Sequence, residues 1–211
     1  MFKRFAMGFV VLALASTALG GIASYTDQPA FLAGVQPGYY LNDFDYAPWT
    51  TLVDPAIPSP SPFASGVWAY NISSPSGLSG QPIPPPNGPG GAVANYRQGE
   101  AVTVTFTGTL PTAVGGIFWV TNLNGNFVNG GTVTITLANG GTYTYADTSN
   151  WDAFTGFTSS SGITSMTLSC DQFATMDHLY VGTGTAVPVP GAIVLGAIGL
   201  GLVGWVKRRL L

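Results

Sequence analysis

The chain has 211 residues, which is enough for one β-rich domain and short terminal segments but not for two large domains. Only 7% of the residues are charged and 46% are hydrophobic, so the composition is unlike that of a usual cytosolic enzyme and excludes disorder driven by charge. Five of the six basic residues lie at the two ends, and residues 24–186 carry one arginine and nine acids, a formal charge of −8, which argues against binding to a nucleic-acid backbone.

Residues 1–23 have the pattern of a secretory signal peptide. Lys3 and Arg4 precede an apolar stretch that runs to Leu19 and is followed by small residues. This signal would direct export of the remainder of the chain, and we expect its cleavage after Ala23. The same small-x-small pattern also places alternative sites after Ala18 and after Gly20.

The first part of the expected ectodomain, residues 24–186, is irregular in composition. Alternation predicts a strand at 40–44. Eleven of the sixteen prolines then fall within residues 48–89, which predicts long irregular loops interrupted by one possible strand at 66–72.

From Glu100 onward the pattern becomes regular. Apolar residues alternate with threonines, as in a half-buried strand, and Asn139-Gly140 has the composition of a tight hairpin turn. Many short strands with no convincing helix between the termini predict an all-β ectodomain, an antiparallel β-sandwich or jelly roll, with threonines facing water. Strands are predicted from about residue 102 and at 114–120, 132–137, 142–146, 164–170 and 178–181.

Few residues are suited to catalysis. His178 is the single histidine, and we expect it to point to solvent or a loop. Cys170 is the single cysteine, so no disulfide within the chain can form, and its alternation with apolar residues favours an inert buried thiol over a nucleophile paired with His178. No phosphate-binding, dinucleotide-binding or serine-hydrolase motif is present, and we expect no enzymatic activity.

Two binding sites remain open from the residues alone. We expect Asp43 and Asp45 to share one face of a strand, and Asp171 and Asp177 to flank the loop before the last strand. These acids could coordinate Ca²⁺ if their loops converge, although solvated carboxylates are the simpler interpretation. Tryptophans could form a surface on which sugars stack, although most are more simply explained as core residues. The four considered are Trp49, Trp68, Trp119 and Trp151.

The C-terminus has the pattern of a membrane-targeting segment. Val187-Pro188-Val189-Pro190 cannot continue a helix, and residues 191–206 then contain no charge. A helix of this length would be about 24 Å long, short for a bilayer but sufficient for a thinned one. Lys207, Arg208 and Arg209 follow directly and would keep the C-terminus in the cytoplasm, which places the ectodomain outside.

These three parts, in this order, resemble the PEP-CTERM sorting signal of exported bacterial proteins, with Val189 in place of the usual Glu of the motif. The resemblance covers residues 187–211 and implies recognition by a membrane-embedded exosortase, removal of the tail and transfer of the body to the cell surface or extracellular matrix. Phe154-Thr155-Gly156-Phe157 and the closing segment 176–182 loosely resemble ectodomains of the same family.

Four hypotheses about function follow, of which the last is a hydrolase that would need paired carboxylates roughly 5 to 9.5 Å apart facing a cleft. The first is a non-enzymatic structural or adhesive protein of the bacterial surface or biofilm matrix, with the exosortase, the membrane and extracellular polysaccharide as partners. The second is a secreted carbohydrate-binding module that uses exposed aromatics. The third is an ectodomain that stays anchored by an unprocessed tail.

Overall fold

The computed structural model describes residues 21–52, 56–83, 90–148 and 152–185. Within these ranges it contains thirteen strands and one short helix. The elements are β1 (Ile22–Tyr25), α1 (Gln28–Ala33), β2 (Tyr40–Asn42), β3 (Ser61–Ser65), β4 (Trp68–Ser73), β5 (Leu78–Ile83), β6 (Gly90–Asn95), β7 (Val102–Phe106), β8 (Ala113–Thr121), β9 (Gly131–Leu137), β10 (Thr142–Asp147), β11 (Phe154–Ser159), β12 (Ser165–Ser169) and β13 (Phe173–Gly182).

The strands form two antiparallel sheets that pack face to face, which confirms the predicted all-β sandwich. Sheet I has the order β1-β11-β8-β13-β6-β5, with β2 also paired to β13. Sheet II has the order β10-β9-β12-β7-β4-β3. In the part of the chain that the structure describes, no helix is long and apolar enough to cross a membrane, and the expected span at 191–206 lies outside that part.

Sheet II follows the alternation seen in the sequence. Val102, Val104 and Phe106 of β7 face the core, while Thr103 and Thr105 lie between them on the outer face. The β9–β10 hairpin turns at Asn139-Gly140, where Gly140 has a φ of 103° that a side chain would disfavour. The predicted threonine-out pattern is therefore confirmed for this sheet.

Sheet I is covered on both faces, which removes the alternation from its strands. Phe31 of α1 packs on the outer face against Phe154 and Tyr180, with ring centroids 5.4 and 6.2 Å away. Gly156 makes this possible, because a Cβ there would lie 2.5 Å from the Phe31 ring. Helix α1, capped by the Asp27 side chain, corrects the expectation that the body has no helix.

The proline-rich segment holds more regular structure than expected. Strands β3, β4 and β5 lie within residues 48–89, where the sequence predicted long irregular loops and a single strand. Pro62 lies in β3 and Pro82 in β5, and each of these strands is an edge strand of its sheet. Proline is tolerated there because an edge strand has a side on which no backbone donor is needed.

Two side chains of the segment that follows β2 enter the space between the two sheets. Phe44 and Trp49 are buried in the main core with the side chains of both sheets. Gly80 and Gly91 permit this close approach, since a Cβ at Gly91 would lie 2.3 Å from the carbonyl oxygen of Phe44 and one at Gly80 would lie 2.3 Å from that of Pro48. Phe44 and Trp49 therefore form part of the core between the sheets.

Both ends of the described body lie at the same end of sheet I. Ile22 of β1 pairs with Ser159 of β11, and the neighbouring Thr158 pairs with Ala113 of β8. Ala113 in turn pairs with Gly182, the last residue of β13. The start of β1 and the end of β13 therefore lie at the same end of the sheet, three strand positions apart.

Candidate functional site

The proposed sorting motif, Val187, Pro188, Val189 and Pro190, and the basic residues Lys207, Arg208 and Arg209 lie outside the described residues. The described residues reach almost to this motif. Thr185 donates hydrogen bonds from its backbone N–H and its Oγ1 to the carbonyl oxygen of Gly34, at 2.8 and 3.1 Å. The chain is therefore held against the body until two residues before Val187.

A cavity of about 430 Å³ opens at the other end of sheet I. It lies where β6 ends and β13 begins, near the loop that follows β8. Polar side chains and apolar side chains contribute to its wall in similar measure. The lining residues are Leu52, Ser79, Gln81, Asn95, Tyr96, Leu123 and Phe173.

Gln81 is the most unusual residue of this cavity. Its side chain is 4% exposed, and its Oε1 receives no hydrogen bond from any described residue. A buried acceptor without a donor costs about 1–3 kcal/mol, so such a group is a candidate for contact with a bound molecule. Gly125 lies against this oxygen, where a Cβ would be only 2.5 Å away.

The cavity combines this polar floor with an apolar rim. Leu52 and Leu123 are 50% and 79% exposed, so both present apolar surface to solvent beside the cavity. No Asp, Glu, Lys or Arg lines the cavity within the described residues. Its chemistry suits an uncharged ligand that has hydroxyl or amide donors and an apolar surface.

A second polar feature is a bulge in β13 at Asp177-His178. The register of β13 against β8 shifts after Asp177, and His178 has a φ of 49°. Asp177 is buried and accepts hydrogen bonds from the backbone N–H and the Nδ1 of His178, both at 2.6 Å. The His178 side chain is 38% exposed, so the ring lies at the surface while its partner is buried.

The charges of this pair affect each other. Burial raises the pKa of Asp177, although the hydrogen bond from His178 opposes this. The hydrogen bond to Asp177 raises the pKa of His178, with further increases from the charges of Asp177, Asp45 and Asp43. No nucleophile hydrogen-bonded to this histidine is found among the described residues.

The predicted pairs of acids have a different arrangement from the one expected. Strand β2 ends at Asn42, so Asp43 and Asp45 lie in the loop after it and not on one face of a strand. Asp177 lies in the middle of β13, while Asp171 precedes that strand. Among the residues that the structure describes, no three His, Cys, Asp or Glu side chains are grouped so that they could hold a metal ion.

The tryptophans do not form an exposed sugar-binding surface in the described ranges. Trp49, Trp68 and Trp119 are 3%, 7% and 0% exposed, in agreement with the interpretation that most are core residues. Trp151 lies outside the described residues. Sequence reasoning missed the cavity, because its residues come from five separate segments and carry no motif.

No protein-family model matches the sequence, and no curated protein shows significant similarity to it. Among solved structures, a carbohydrate-binding module, CsCBM6-3 from Clostridium stercorarium in complex with cellobiose, aligns with 63% of this chain and 100% of the module, at 17% identity and a TM-score of 0.30. A similarity this distant supports no argument about ligand or mechanism.

Proposed function

We propose that this chain is an exported surface or matrix protein with a structural or adhesive role, sorted through its PEP-CTERM-like C-terminus by an exosortase-type enzyme. The β-sandwich is the displayed body, and residues 187–211 are the sorting signal. The body has no catalytic role in this proposal.

The geometry of the chain ends carries the proposal. β1 begins and β13 ends at one end of sheet I, and the sequence assigns the segments before β1 and after β13 to the membrane. The cavity lies at the start of β13, roughly 30 Å away for a ten-residue strand. A body attached at one end would therefore present its cavity away from the membrane.

The experiment is intact-mass analysis and cell fractionation of the protein from its own cells. We expect a mature species that lacks the residues after the motif and is found at the surface or in the matrix. A variant with Lys207, Arg208 and Arg209 changed to alanine should retain the tail. A full C-terminus in both proteins, found in the membrane fraction, would instead support a permanent anchor and contradict processing.

The cavity favours a second candidate function, the binding of a neutral carbohydrate. Gln81 Oε1 is a buried acceptor without a donor among the described residues, and sugar hydroxyls are donors. Phe173 and the two exposed leucines supply the apolar contacts that the faces of sugar rings require.

Gln81→Leu tests this second candidate on an array of neutral oligosaccharides. Leucine has a similar volume and no acceptor, so binding should be lost. The melting temperature should be kept or rise, because the unpaired oxygen is gone. Gln98→Leu is the matched control, because Gln98 is exposed and lies outside the cavity. Binding by the Gln81 variant at wild-type strength would exclude the cavity as the site.

A further inference from the structure

The outer face of sheet II is an uncharged array of hydroxyl groups, and we call it the hydroxyl face. Its side chains are small and polar or small and apolar, and none of them is ionisable. The residues are Pro62 and Ala64 of β3, Ala69, Asn71 and Ser73 of β4, Thr103 and Thr105 of β7, Thr132, Thr134 and Thr136 of β9, Thr142, Thr144 and Ala146 of β10, and Ser165, Thr167 and Ser169 of β12.

The hydroxyls of this face stand in register across the strands. Direct pairing joins residues of five successive strands, a row of about 19 Å at the usual strand spacing of about 4.8 Å. The pairings of sheet II show no register shift, in contrast to the bulge in β13 of sheet I. The row consists of Thr142, Thr136, Thr167, Thr103 and Ser73.

Hydrogen bonds join neighbouring strands of this face, and part of the face is open to solvent. Two cross-strand pairs of threonine hydroxyls lie within hydrogen-bonding distance, Thr134 with Thr144 at 3.0 Å and Thr103 with Thr167 at 3.4 Å. Threonine is β-branched, so its side chain loses little rotamer freedom when a partner binds. Thr136 and Thr142 are exposed, and none of the described residues covers them.

An uncharged face this large is unusual on a protein surface, where charges normally keep sheets soluble and apart. When a neutral surface docks, charged side chains would have to lose their water, which costs free energy. Hydroxyls that pair with hydroxyls of the docked surface avoid this cost. The body itself carries a formal charge of −8 over residues 24–186, so a second copy and an anionic polymer are both repelled. A neutral polymer is not repelled by this charge.

We infer that the hydroxyl face binds an extended, neutral polysaccharide chain, which would lie along the row of threonines and exchange hydrogen bonds with it. The inference rests on the proposed display at the surface or in the matrix and names the partner of the adhesive role. It places adhesion on sheet II, separate from the cavity of sheet I.

The test uses the full chain, purified in mild detergent, in native gels that contain hydroxyethyl cellulose or carboxymethyl cellulose. These polymers share one backbone and differ in charge. We expect the neutral polymer to retard the wild type and the anionic polymer to leave its mobility unchanged. The variant Thr103→Val/Thr136→Val/Thr167→Val keeps the shape and strand propensity of the face, and its apparent affinity should fall at least tenfold.

Controls separate this inference from the other proposals. Thr109→Val/Thr148→Val changes exposed threonines outside the face and should bind as the wild type does. Thr136→Lys adds one charge at an exposed position and should also weaken binding, with its melting temperature unchanged. The mass of the mature protein tests sorting, and gel retardation tests polymer binding. Either proposal can therefore fail while the other holds.

Three results would overturn the inference. One is a wild type that the neutral polymer does not retard, and another is a triple valine variant that binds at full strength. The third is a dimer in light scattering that the triple variant abolishes, because a second copy would then occupy the face.

Discussion

Cys170 follows β12 and packs against the core as a partly buried side chain. Burial raises the pKa of its thiol to about 11 from an ordinary value of 9.0. At pH 8 this lowers the thiolate fraction about 100-fold, and the thiolate is the reactive form. The alternation of Met166, Leu168 and Cys170 predicted this inert environment from the sequence.

We therefore expect Cys170 to react slowly with an aromatic disulfide reagent at pH 8 in the folded protein. Unfolding in guanidinium should accelerate labelling by two orders of magnitude or more. The measurement is unambiguous because the chain has one cysteine. Labelling of the native protein as fast as the unfolded one would contradict the buried placement.

His178 is the single histidine, so its ring resonances report one titration. Its pKa lies above 6.5 because Asp177 accepts a hydrogen bond from the ring. A histidine with a raised folded-state pKa contributes stability that is complete below pH 6.5 and is lost as the pH rises through that pKa. The raised pKa of Asp177 has the same direction of effect at lower pH.

We expect Asp177→Asn to lower the NMR titration midpoint of His178. The same substitution should reduce the fall in melting temperature that the wild type shows as the pH rises from about 6 to about 8. Asp171→Asn is the control, since Asp171 precedes β13 and lies outside the bulge. A midpoint that Asp177→Asn leaves in place would show that the hydrogen bond does not set it.

At the scale of elements, the two sheets differ in how well the sequence predicts them. The strands of sheet II have one face in water, so β7, β9, β10 and β12 show the alternation that identifies a strand. Strands β8, β11 and most of β13 are buried on both faces, and β11 shows no alternation at all. The fold class was therefore predictable, while β1, β3, β5, β6, β11 and α1 were not recognised.

The segment that enters between the sheets depends on glycines, which no alternation pattern reveals. Gly91→Ala should lower the free energy of unfolding by about 2 kcal/mol or more, because the new methyl group would meet backbone atoms of Phe44 and Trp49. Denaturant unfolding measures the change. Gly21→Ala is the control, since no atom lies within 4 Å of its Cβ position. Equal stability of both variants would show that the segment can move aside.

At the scale of the whole molecule, β1 bears on where the signal peptide ends. The expected cleavage after Ala23 would remove Ile22 and Ala23 from this strand, although Ile22 packs against the core. Cleavage after Gly20 would leave β1 complete and keep the hydrogen bond from the Ser160 N–H to the Gly21 carbonyl, at 3.1 Å. The sequence pattern fits cleavage after Gly20 as well as after Ala23, and the strand pairing favours cleavage after Gly20.

We therefore predict that the mature protein begins at Gly21. Mass spectrometry of the N-terminal peptide from exported protein decides between the sites. A chain that begins at Ser24 would mean that β1 is shortened in the mature protein, and a chain that retains Met1 would mean that the leader is not cleaved.

Ile22 and Gly182 are three strands apart at one end of sheet I, a separation of about 14 Å at the usual strand spacing. A linker of about five residues covers this distance. The two ends could thus be joined and the chain opened instead at Asn139-Gly140, giving a circular permutant with the same strand pairing. By the same geometry, the body is a cassette that can be inserted into an exposed loop of a host protein.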